Sequence, residues 1–383
     1  MIREYTKEII DELIKIRRDL HAIPELENEE YMTCNYIENI LRKYQIPYKH
    51  VLDTGLVAHI KGSLGDGKTI LIRADIDALP INEMNDVDYK STHGGIMHAC
   101  GHDVHIACAL GVCILAKEID FRGNIVVAFQ PAEEGNGGAK RMIDNGILEN
   151  PKVDAAIALH VEPCEEVGTL LFRKGSIMAS PDDFKIIVTG KGGHGACPEL
   201  CINPVECASY LAYTITQDFK YAENCVVSVC KINGGTSSNV IPDSVEILGT
   251  ARSIDNETRK HIETKLFEIT QSICKKFNCK YEFVFNKLYP PVINDTSMNN
   301  LLIQTAENLG LCIKEQEKAS MTGDDFSYFS DIIPSVYFKL GAGNEIINKP
   351  LHSAWFNVDE NCIEIGTSVL MRFCMMFFEK GLQ

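Results

Sequence analysis

Apolar positions in the first half of the chain follow two different spacings, which predict strands alternating with helices. Short, nearly continuous apolar runs are typical of buried strands and occur at residues 56–60, 69–73, 124–129 and 154–159. Apolar residues three and four positions apart predict helices at residues 103–118 and 137–145, and near the N-terminus a helix with Ile9, Ile10, Leu13, Ile14 and Leu20 on one side. This order predicts an α/β domain, in which ligands collect beyond the carboxyl ends of the strands.

A different order of elements begins near Asp182. It runs strand, helix, strand, strand, helix, strand over residues 184–189, 204–217, 226–232, 245–251, 257–275 and 281–285. That order is a ferredoxin-like α+β unit. Pro290 and Pro291 end it, after which further helices and strands follow. We therefore predict an inserted domain at 182–290, within an α/β domain made of residues 1–181 and 291–383.

The length and charge of the chain limit the classes of function. With 383 residues, the chain is too long for one typical hydrophobic core, which agrees with two domains. Acidic residues outnumber basic ones 53 to 37, and the formal charge of −16 disfavours nucleic acid and anionic membranes as partners. Small molecules are the expected partners.

The cysteines and the N-terminal residues indicate the cellular compartment. The chain has fifteen cysteines, several of them single residues in apolar segments, such as Cys108 and Cys113, so free buried thiols are expected rather than a disulfide framework. Residues 1–5 lead into the first amphipathic helix without a hydrophobic signal core. No uninterrupted apolar stretch reaches the ~18 residues of a membrane span. These features predict a cytoplasmic protein.

The segment from His98 to Asp103 places a thiol and an imidazole, Cys100 and His102, two positions apart. Taken alone, the pair could equally be two ordinary buried side chains. Further potential ligands follow at strand ends and in a late loop: Glu134, His160 and His352. Five protein ligands exceed the needs of one catalytic zinc, so we predict two divalent metals, with Cys100 as the bridging ligand.

Two adjacent carboxylates, Glu133 and Glu134, lie between an apolar strand and a glycine-rich turn. Their side chains point in different directions, so one can bind metal while the other takes a proton from water. The alternative is a solvated acidic turn.

The inserted domain contains its own polar motifs. His194 lies in a glycine-rich turn and could hydrogen-bond the oxyanion formed from a carbonyl. Asn239 and Arg252 offer an amide donor and a guanidinium for a substrate carboxylate. Taken alone, these residues are better explained by a surface turn and a surface salt bridge.

Several motifs together resemble one enzyme family. They comprise Arg73 to Pro80, Met97 to Asp103, Gln130 to Gly138, Gly190 to Pro198 and Ser237 to Asp243. In this order they are similar to the amidohydrolase branch of the aminoacylase and carboxypeptidase metallopeptidases. That branch includes hippurate hydrolases, auxin-conjugate hydrolases and N-acetyl-diaminopimelate deacetylases. The resemblance covers nearly the whole chain.

The resemblance implies a role for each motif. It gives a dinuclear centre held by Cys100, His102, Glu134, His160 and His352. Glu133 would be the general base, and Asp75 would support the metal ligands without binding metal itself. The insert would dimerise and act as a lid, with His194, Asn239 and Arg252 contacting the scissile carbonyl or the substrate carboxylate. Carboxypeptidase-like relatives carry a metal-binding histidine where this chain has Arg73, which indicates the amidohydrolase branch.

The function expected from the resemblance is hydrolysis of N-acyl amino acids to a carboxylic acid and a free amino acid. A homodimer with two divalent metals, zinc, manganese, cobalt or nickel, is expected to carry it out. A dipeptidase or metallocarboxypeptidase of the same family is the nearest alternative. A non-catalytic protein that binds metal or amino acids, and a cysteine hydrolase using Cys100, are the alternatives from other classes.

Overall fold

The computed structural model describes residues 7–135 and 137–380, and the chain divides into two compact units. The larger unit comprises the chain up to Gly175, Ile293–Glu317 and the segment from Asp325 onward. The smaller unit comprises Ser176–Val292 and Lys318–Asp324. It thus contains residues 176–181, 291–292 and 318–324 in addition to the insert predicted at 182–290. The predicted features of residues 1–5 lie outside the described residues.

The elements follow one another along the chain as helices α1 to α9 and strands β1 to β16. The helices are α1 Lys7–His21, α2 Tyr31–Lys43, α3 His102–Ala116, α4 Gly138–Asp144, α5 Pro204–Phe219, α6 Asn256–Lys276, α7 Thr296–Asn308, α8 Ser327–Ser330 and α9 Asn361–Lys380. The strands are β1 Tyr48–Val51, β2 Gly55–Lys61, β3 Thr69–Asp75, β4 Asn124–Gln130, β5 Ala155–Glu166, β6 Thr169–Phe172, β7 Gly175–Met178, β8 Ser180–Thr189, β9 Gly193–His194, β10 Cys225–Asn233, β11 Val240–Ile241, β12 Ser244–Ser253, β13 Lys280–Asn286, β14 Val292–Asn294, β15 Cys312–Glu315 and β16 Ser335–Gly343.

The larger unit is built on a mixed sheet, which in the described residues has eight strands in the order β1-β2-β4-β3-β5-β16-β6-β15. The central strands β4, β3, β5 and β16 run parallel, whereas β1, β2 and β6 introduce antiparallel pairs. This confirms the predicted α/β class, and the sheet is mixed. Because β3, β4 and β5 are parallel, Asp75, Gln130 and the end of β5 meet at one edge of the sheet.

Helix α3 forms the centre of the larger unit. Every residue from His102 to Ala116 is buried, and the helix packs against α1, α9 and β3. From Ile106 to Ala116 the helix is apolar all round, as expected in a core, which explains why single cysteines such as Cys108 and Cys113 occur in it. All fifteen cysteines of the chain are free thiols, nine of them buried.

Helix α9 is the one helix in the described part of the chain that is long and apolar enough to cross a membrane by length and composition. However, 67% of its apolar window is buried inside the molecule, where it packs on α3 and α7. Charged residues, Glu364 and Arg372, interrupt its apolar sequence. We therefore interpret α9 as a core helix.

The smaller unit has a four-stranded antiparallel sheet in the order β10-β12-β8-β13. Helices α5 and α6 connect these strands, so the order along the chain is β8-α5-β10-β12-α6-β13. Apolar side chains such as Phe184, Leu211 and Leu266 form a core between the helices and the sheet. The architecture is the ferredoxin-like unit that the alternation of strands and helices predicts.

A buried ion pair joins α1 to the start of α3. Arg17 is completely buried and donates to Asp103 at 2.7 Å, while its neighbour Arg18 is 48% exposed and pairs with Glu360. Replacing Arg17 with Met should lower the free energy of unfolding by about 3–5 kcal/mol, because the buried Asp103 carboxylate loses its arginine partner and keeps only its contact with His21. The matched exposed variant, Arg18→Met, should cost less than about 1 kcal/mol. Equal losses in urea titrations of the two variants would contradict this account.

Candidate metal centre

The five predicted metal ligands lie together in the larger unit. One ligand atom each from Cys100, His102 and His160 lies within 4.8 Å of the others, and the same holds for Cys100, Glu134 and His352. The Cys100 sulfur is 3.4 Å from His160 Nε2, and His352 Nε2 is 3.2 Å from Glu134 Oε1. Cys100 belongs to both groups, as a bridging ligand would.

Local backbone geometry places these side chains. Gly101, between Cys100 and His102, has φ 87°, and a Cβ there would lie 2.3 Å from a Val161 methyl. Glycine is therefore required for the turn that starts α3. His352 also has a positive φ, of 62°, and its backbone N–H donates to Ala99 at 2.8 Å, which holds the late loop against the Cys100 segment.

Two of the imidazoles have their tautomers set by backbone carbonyls. His102 Nδ1 donates to the carbonyl of Asp77 at 2.8 Å, and His160 Nδ1 donates to the carbonyl of Val161 at 2.7 Å. In the neutral form of each ring, Nε2 is then the nitrogen without a proton, as a metal ligand must be. The buried His102 Nε2 has no hydrogen-bond partner. A divalent cation would satisfy that nitrogen, so the residues present fit the predicted metals.

The two adjacent carboxylates at the end of β4 both approach His102. Glu133 Oε2 and Glu134 Oε1 each lie 4.0 Å from His102 Nε2. Glu134 also contacts His352, whereas Glu133 is buried. Glu134 thus belongs to the candidate ligand group with Cys100 and His352, and the separate roles of the two carboxylates stay predictions.

Burial and neighbouring charges control protonation in the metal-free site. Burial raises the pKa of the Cys100 thiol well above its usual value, and nearby carboxylates, first Glu134, raise it further. Burial lowers the pKa of His102, but Asp75 and Asp77 outweigh this and raise it to about 10. Burial lowers the pKa of His160 well below its usual value. In the metal-free protein at neutral pH, Cys100 and His102 therefore carry protons.

Metal binding should consequently release protons from Cys100 and His102, because thiolate and neutral imidazole are the binding forms. The affinity for metal should then rise with pH between pH 6 and 8, where both groups still hold their protons without metal. Calorimetry of metal binding in buffers with different ionisation enthalpies counts the protons. A Cys100→Ser variant should release one proton fewer. Binding that releases no protons and is independent of pH would contradict this protonation scheme.

Asp75 belongs to a buried charge network under the centre. Arg73 donates to Asp75 at 2.5 Å, to Asp325 at 2.8 Å and to Gln130 at 2.9 Å. A side chain engaged in this way is not a metal ligand, as the sequence predicts for Arg73. Burial raises the pKa of Asp75, but Arg73 and His102 hold it well below its usual value, so Asp75 stays ionised.

Two residues at this site were not assigned a role from the sequence. Asp77 accepts from His102 through its carbonyl and from the Glu134 N–H through its carboxylate. His105 is buried and bonds Asp75 at 2.6 Å. Asp77 lies two positions after Asp75, and His105 lies one turn after His102. Their spacing relative to predicted site residues is the signal that could have identified them.

His194, Asn239 and Arg252 belong to the smaller unit. His194 is exposed, and its Nδ1 accepts the N–H of Ala196 at 3.0 Å, so Nε2 carries the proton and can donate. Asn239 is exposed and accepts from Ser237 at 2.6 Å. Arg252 is half-buried on β12. Their roles toward a substrate stay predictions.

Comparison with known proteins defines the class. Residues 71–376 match the model of peptidase family M20/M25/M40. The chain is 38% identical to N-acetyl-L-cysteine deacetylase of Bacillus subtilis, covering 92% of this chain and 85% of that protein. It is 37% identical to thermostable carboxypeptidase 2 of Saccharolobus solfataricus, covering 99% and 98%. A dinuclear metal-binding M20 peptidase from Bacillus subtilis has a TM-score of 0.89 at 32% identity, covering 98% of this chain and 99% of that chain.

The fold and the ligand cluster are thus those of a dinuclear metallohydrolase. The chain belongs to peptidase family M20/M25/M40. Its activity is metal-dependent hydrolysis of amide bonds, the reaction shared by deacetylases and carboxypeptidases. This confirms the predicted family, the enzyme class and the dinuclear cofactor.

Proposed function

We propose that this enzyme hydrolyses N-acyl amino acids, with Cys100, His102, Glu134, His160 and His352 as the metal ligands. The observation that carries the choice of substrate is Arg73. Arg73 is held by buried bonds to Asp75 and Gln130. The resemblance described above implies a metal-binding histidine at this position in carboxypeptidase-like enzymes, and an arginine cannot take that role. The similarity to deacetylases of N-acetyl-L-cysteine and N-acetyldiaminopimelate supports the same class of substrate.

In the proposed reaction, the bound metals supply Lewis-acid activation of the carbonyl and of water. Glu133 takes a proton from the attacking water, and the water oxygen bonds to the acyl carbon. Glu133 then delivers that proton to the amide nitrogen as the carbon–nitrogen bond breaks. The products are a carboxylic acid and a free amino acid. Cys100, which belongs to both ligand groups, would help to hold both metals. Asp75, held ionised by Arg73, would support the centre without touching substrate.

Three residues of the smaller unit are proposed to bind the substrate. His194 would donate from Nε2 to the carbonyl oxygen on which negative charge develops. Asn239 and Arg252 would bind the carboxylate of the amino acid. Arg252→Lys and Asn239→Ala should therefore raise KM, whereas His194→Ala should mainly lower kcat. Unchanged kinetic constants in all three variants would contradict these roles.

A dipeptidase or carboxypeptidase is the second candidate, because the 37% identical relative is named a carboxypeptidase. A panel of acetyl, benzoyl and aminoacyl derivatives of one amino acid separates the two functions. The proposal expects kcat/KM to be highest for acetyl or benzoyl derivatives. A requirement for a free α-amine on the acyl side would contradict it and favour the peptidase. Hydrolysis should disappear on dialysis against a chelator and return when metal is added.

We further propose that the chain is a cytoplasmic homodimer associated through the smaller unit. Its fifteen free cysteines suit a reducing compartment. Exposed apolar side chains on α5, Tyr210 and Tyr213, and on the edge strand β10, Val226 and Ile232, offer surface for a partner copy. Sedimentation should give twice the chain mass of 42.7 kDa. A species with the mass of one chain at micromolar concentration would contradict the dimer.

A further inference from the structure

His105 lies one turn after His102 on α3, and both of its ring nitrogens are engaged inside the protein. Nδ1 lies 2.6 Å from Asp75 Oδ1, and Nε2 accepts the backbone N–H of Val161 at 3.0 Å. A neutral imidazole has one donor and one acceptor nitrogen. Because Nε2 accepts an N–H it carries no proton, so Nδ1–H donates to Asp75. His105 has no lone pair left for a metal.

The hydrogen bond from the Val161 N–H to His105 lies where β5 extends beyond its pairing with β3. Strand β3 pairs with β5 only as far as Arg73 and Ala158, so β5 continues beyond its contact with β3. There the N–H of Val161 donates to the His105 ring. Val161 is buried, and a buried N–H without an acceptor costs about 1–3 kcal/mol. The imidazole therefore satisfies a backbone group in the segment that carries His160.

His105 thus joins three segments of the centre. It is on the helix that begins with His102, it bonds the residue that ends β3, Asp75, and it bonds the residue after His160. Its ring centroid is 5.5 Å from that of His102 and 4.7 Å from that of His160. It is 2% exposed, so water does not compete for these bonds. If either hydrogen bond of His105, to Asp75 or to Val161, were lost, the separation of His102 and His160 would change.

We propose that His105 is a positioning residue that fixes the separation of His102 and His160 and does not itself bind metal. The inference rests on the proposed ligand roles of those two residues. Groups that orient metal ligands typically change metal affinity by about 10–100-fold when they are replaced. Replacing His105 should accordingly weaken metal binding by that factor without removing a metal from the saturated enzyme.

The unmodified enzyme tests this directly. Histidine ring ¹⁵N spectra of the full chain loaded with ¹¹³Cd should show coupling to cadmium for His102 and His160. His105 should show no coupling and should keep its proton on Nδ1. Coupling at a His105 nitrogen, with His102 and His160 also coupled, would overturn the positioning role alone. Absence of coupling at His102 and His160 would contradict the proposed ligand set, and with it the role of His105.

Two variants separate the bonds of His105. His105→Asn keeps a donor near the position of Nδ1, but its side chain is too short to reach the N–H of Val161. His105→Gln keeps an acceptor near the position of Nε2, but it leaves Asp75 without its donor. Each should lower zinc affinity in chelator competition by about 10–100-fold, with two zinc ions still bound at saturation and kcat reduced more than KM is raised. The control is His59→Asn. It removes a histidine on β2 that bonds Asn124 on β4, and it should leave zinc affinity unchanged.

A zinc affinity within twofold of wild type in both variants would overturn the inference. So would the loss of one zinc ion at saturating metal, because that is the behaviour of a ligand. Melting of the metal-free proteins separates positioning from general stability. A lower melting temperature with unchanged zinc affinity would also count against the proposal. If both variants fail to fold, the cadmium spectrum of the unmodified enzyme decides.

Discussion

Replacing Glu133 with Gln should reduce turnover by about 10²–10⁴-fold, the usual contribution of general acid–base catalysis. The amide keeps the size of the side chain but cannot accept a proton from water. Glu133 is buried and lies 4.0 Å from His102 Nε2, while the predicted ligand next to it is Glu134. The variant should therefore keep its full metal content, measured by mass spectrometry of the metals, while kcat falls.

Glu133→Asp is the matched control, since it keeps a carboxylate but withdraws it by one methylene. It should retain part of the activity lost in Glu133→Gln, because the base is present but misplaced. Near-normal turnover in Glu133→Gln would contradict the role of Glu133 as base. Loss of a metal from that variant would show instead that Glu133 is a ligand.

Replacing Cys100 with Ser should lower metal affinity by more than about 100-fold, the upper end of the effect of groups that only orient ligands. Hydrolysis at limiting metal should be lost with it. The reason is that Cys100 is close to both ligand groups, to His102 and His160 on one side and to Glu134 and His352 on the other. A serine hydroxyl stays protonated near neutral pH and does not replace a thiolate between two cations.

The control for Cys100→Ser is Cys113→Ala, another buried thiol on α3. That variant removes packing contacts only, so its metal content should match that of the unmodified enzyme. If Cys100→Ser kept both metals and full activity, the thiolate would not be at the metals. Metal-independent hydrolysis abolished by alkylation of Cys100 would favour a cysteine hydrolase instead.

The fold could be predicted from the sequence because its apolar spacings are local. Continuous apolar runs correspond to β3 and β4, and the β-α-β-β-α-β order identifies the ferredoxin-like unit. The order of strands in the large sheet could not be predicted in this way, since it depends on pairings between distant segments such as β16 with β5. The length of β5 was also underestimated, because glutamates after His160 interrupt the apolar pattern while the strand continues to Glu166.

In the site, too, residues within local motifs could be predicted, whereas contacts between distant segments could not. Cys100, His102 and the two glutamates have chemistry that is evident in their motifs. Asp77 acts on His102 through a backbone carbonyl, and His105 acts on Val161 through a backbone N–H. A backbone partner has no characteristic residue type, so only the spacing of Asp77 from Asp75 and of His105 from His102 points to these two residues in the sequence. Arg73 is similar, because its contact with Asp325 spans 252 positions of the chain.

Anomalous diffraction from a crystal of the manganese- or zinc-loaded enzyme tests the central claim most directly. The account predicts two peaks about 3.5–4 Å apart, the usual spacing of two-metal sites. Both should lie among Cys100, His102, Glu134, His160 and His352, with the Cys100 sulfur between them. A single peak, or peaks bound by other residues, would contradict a dinuclear centre built from these five side chains.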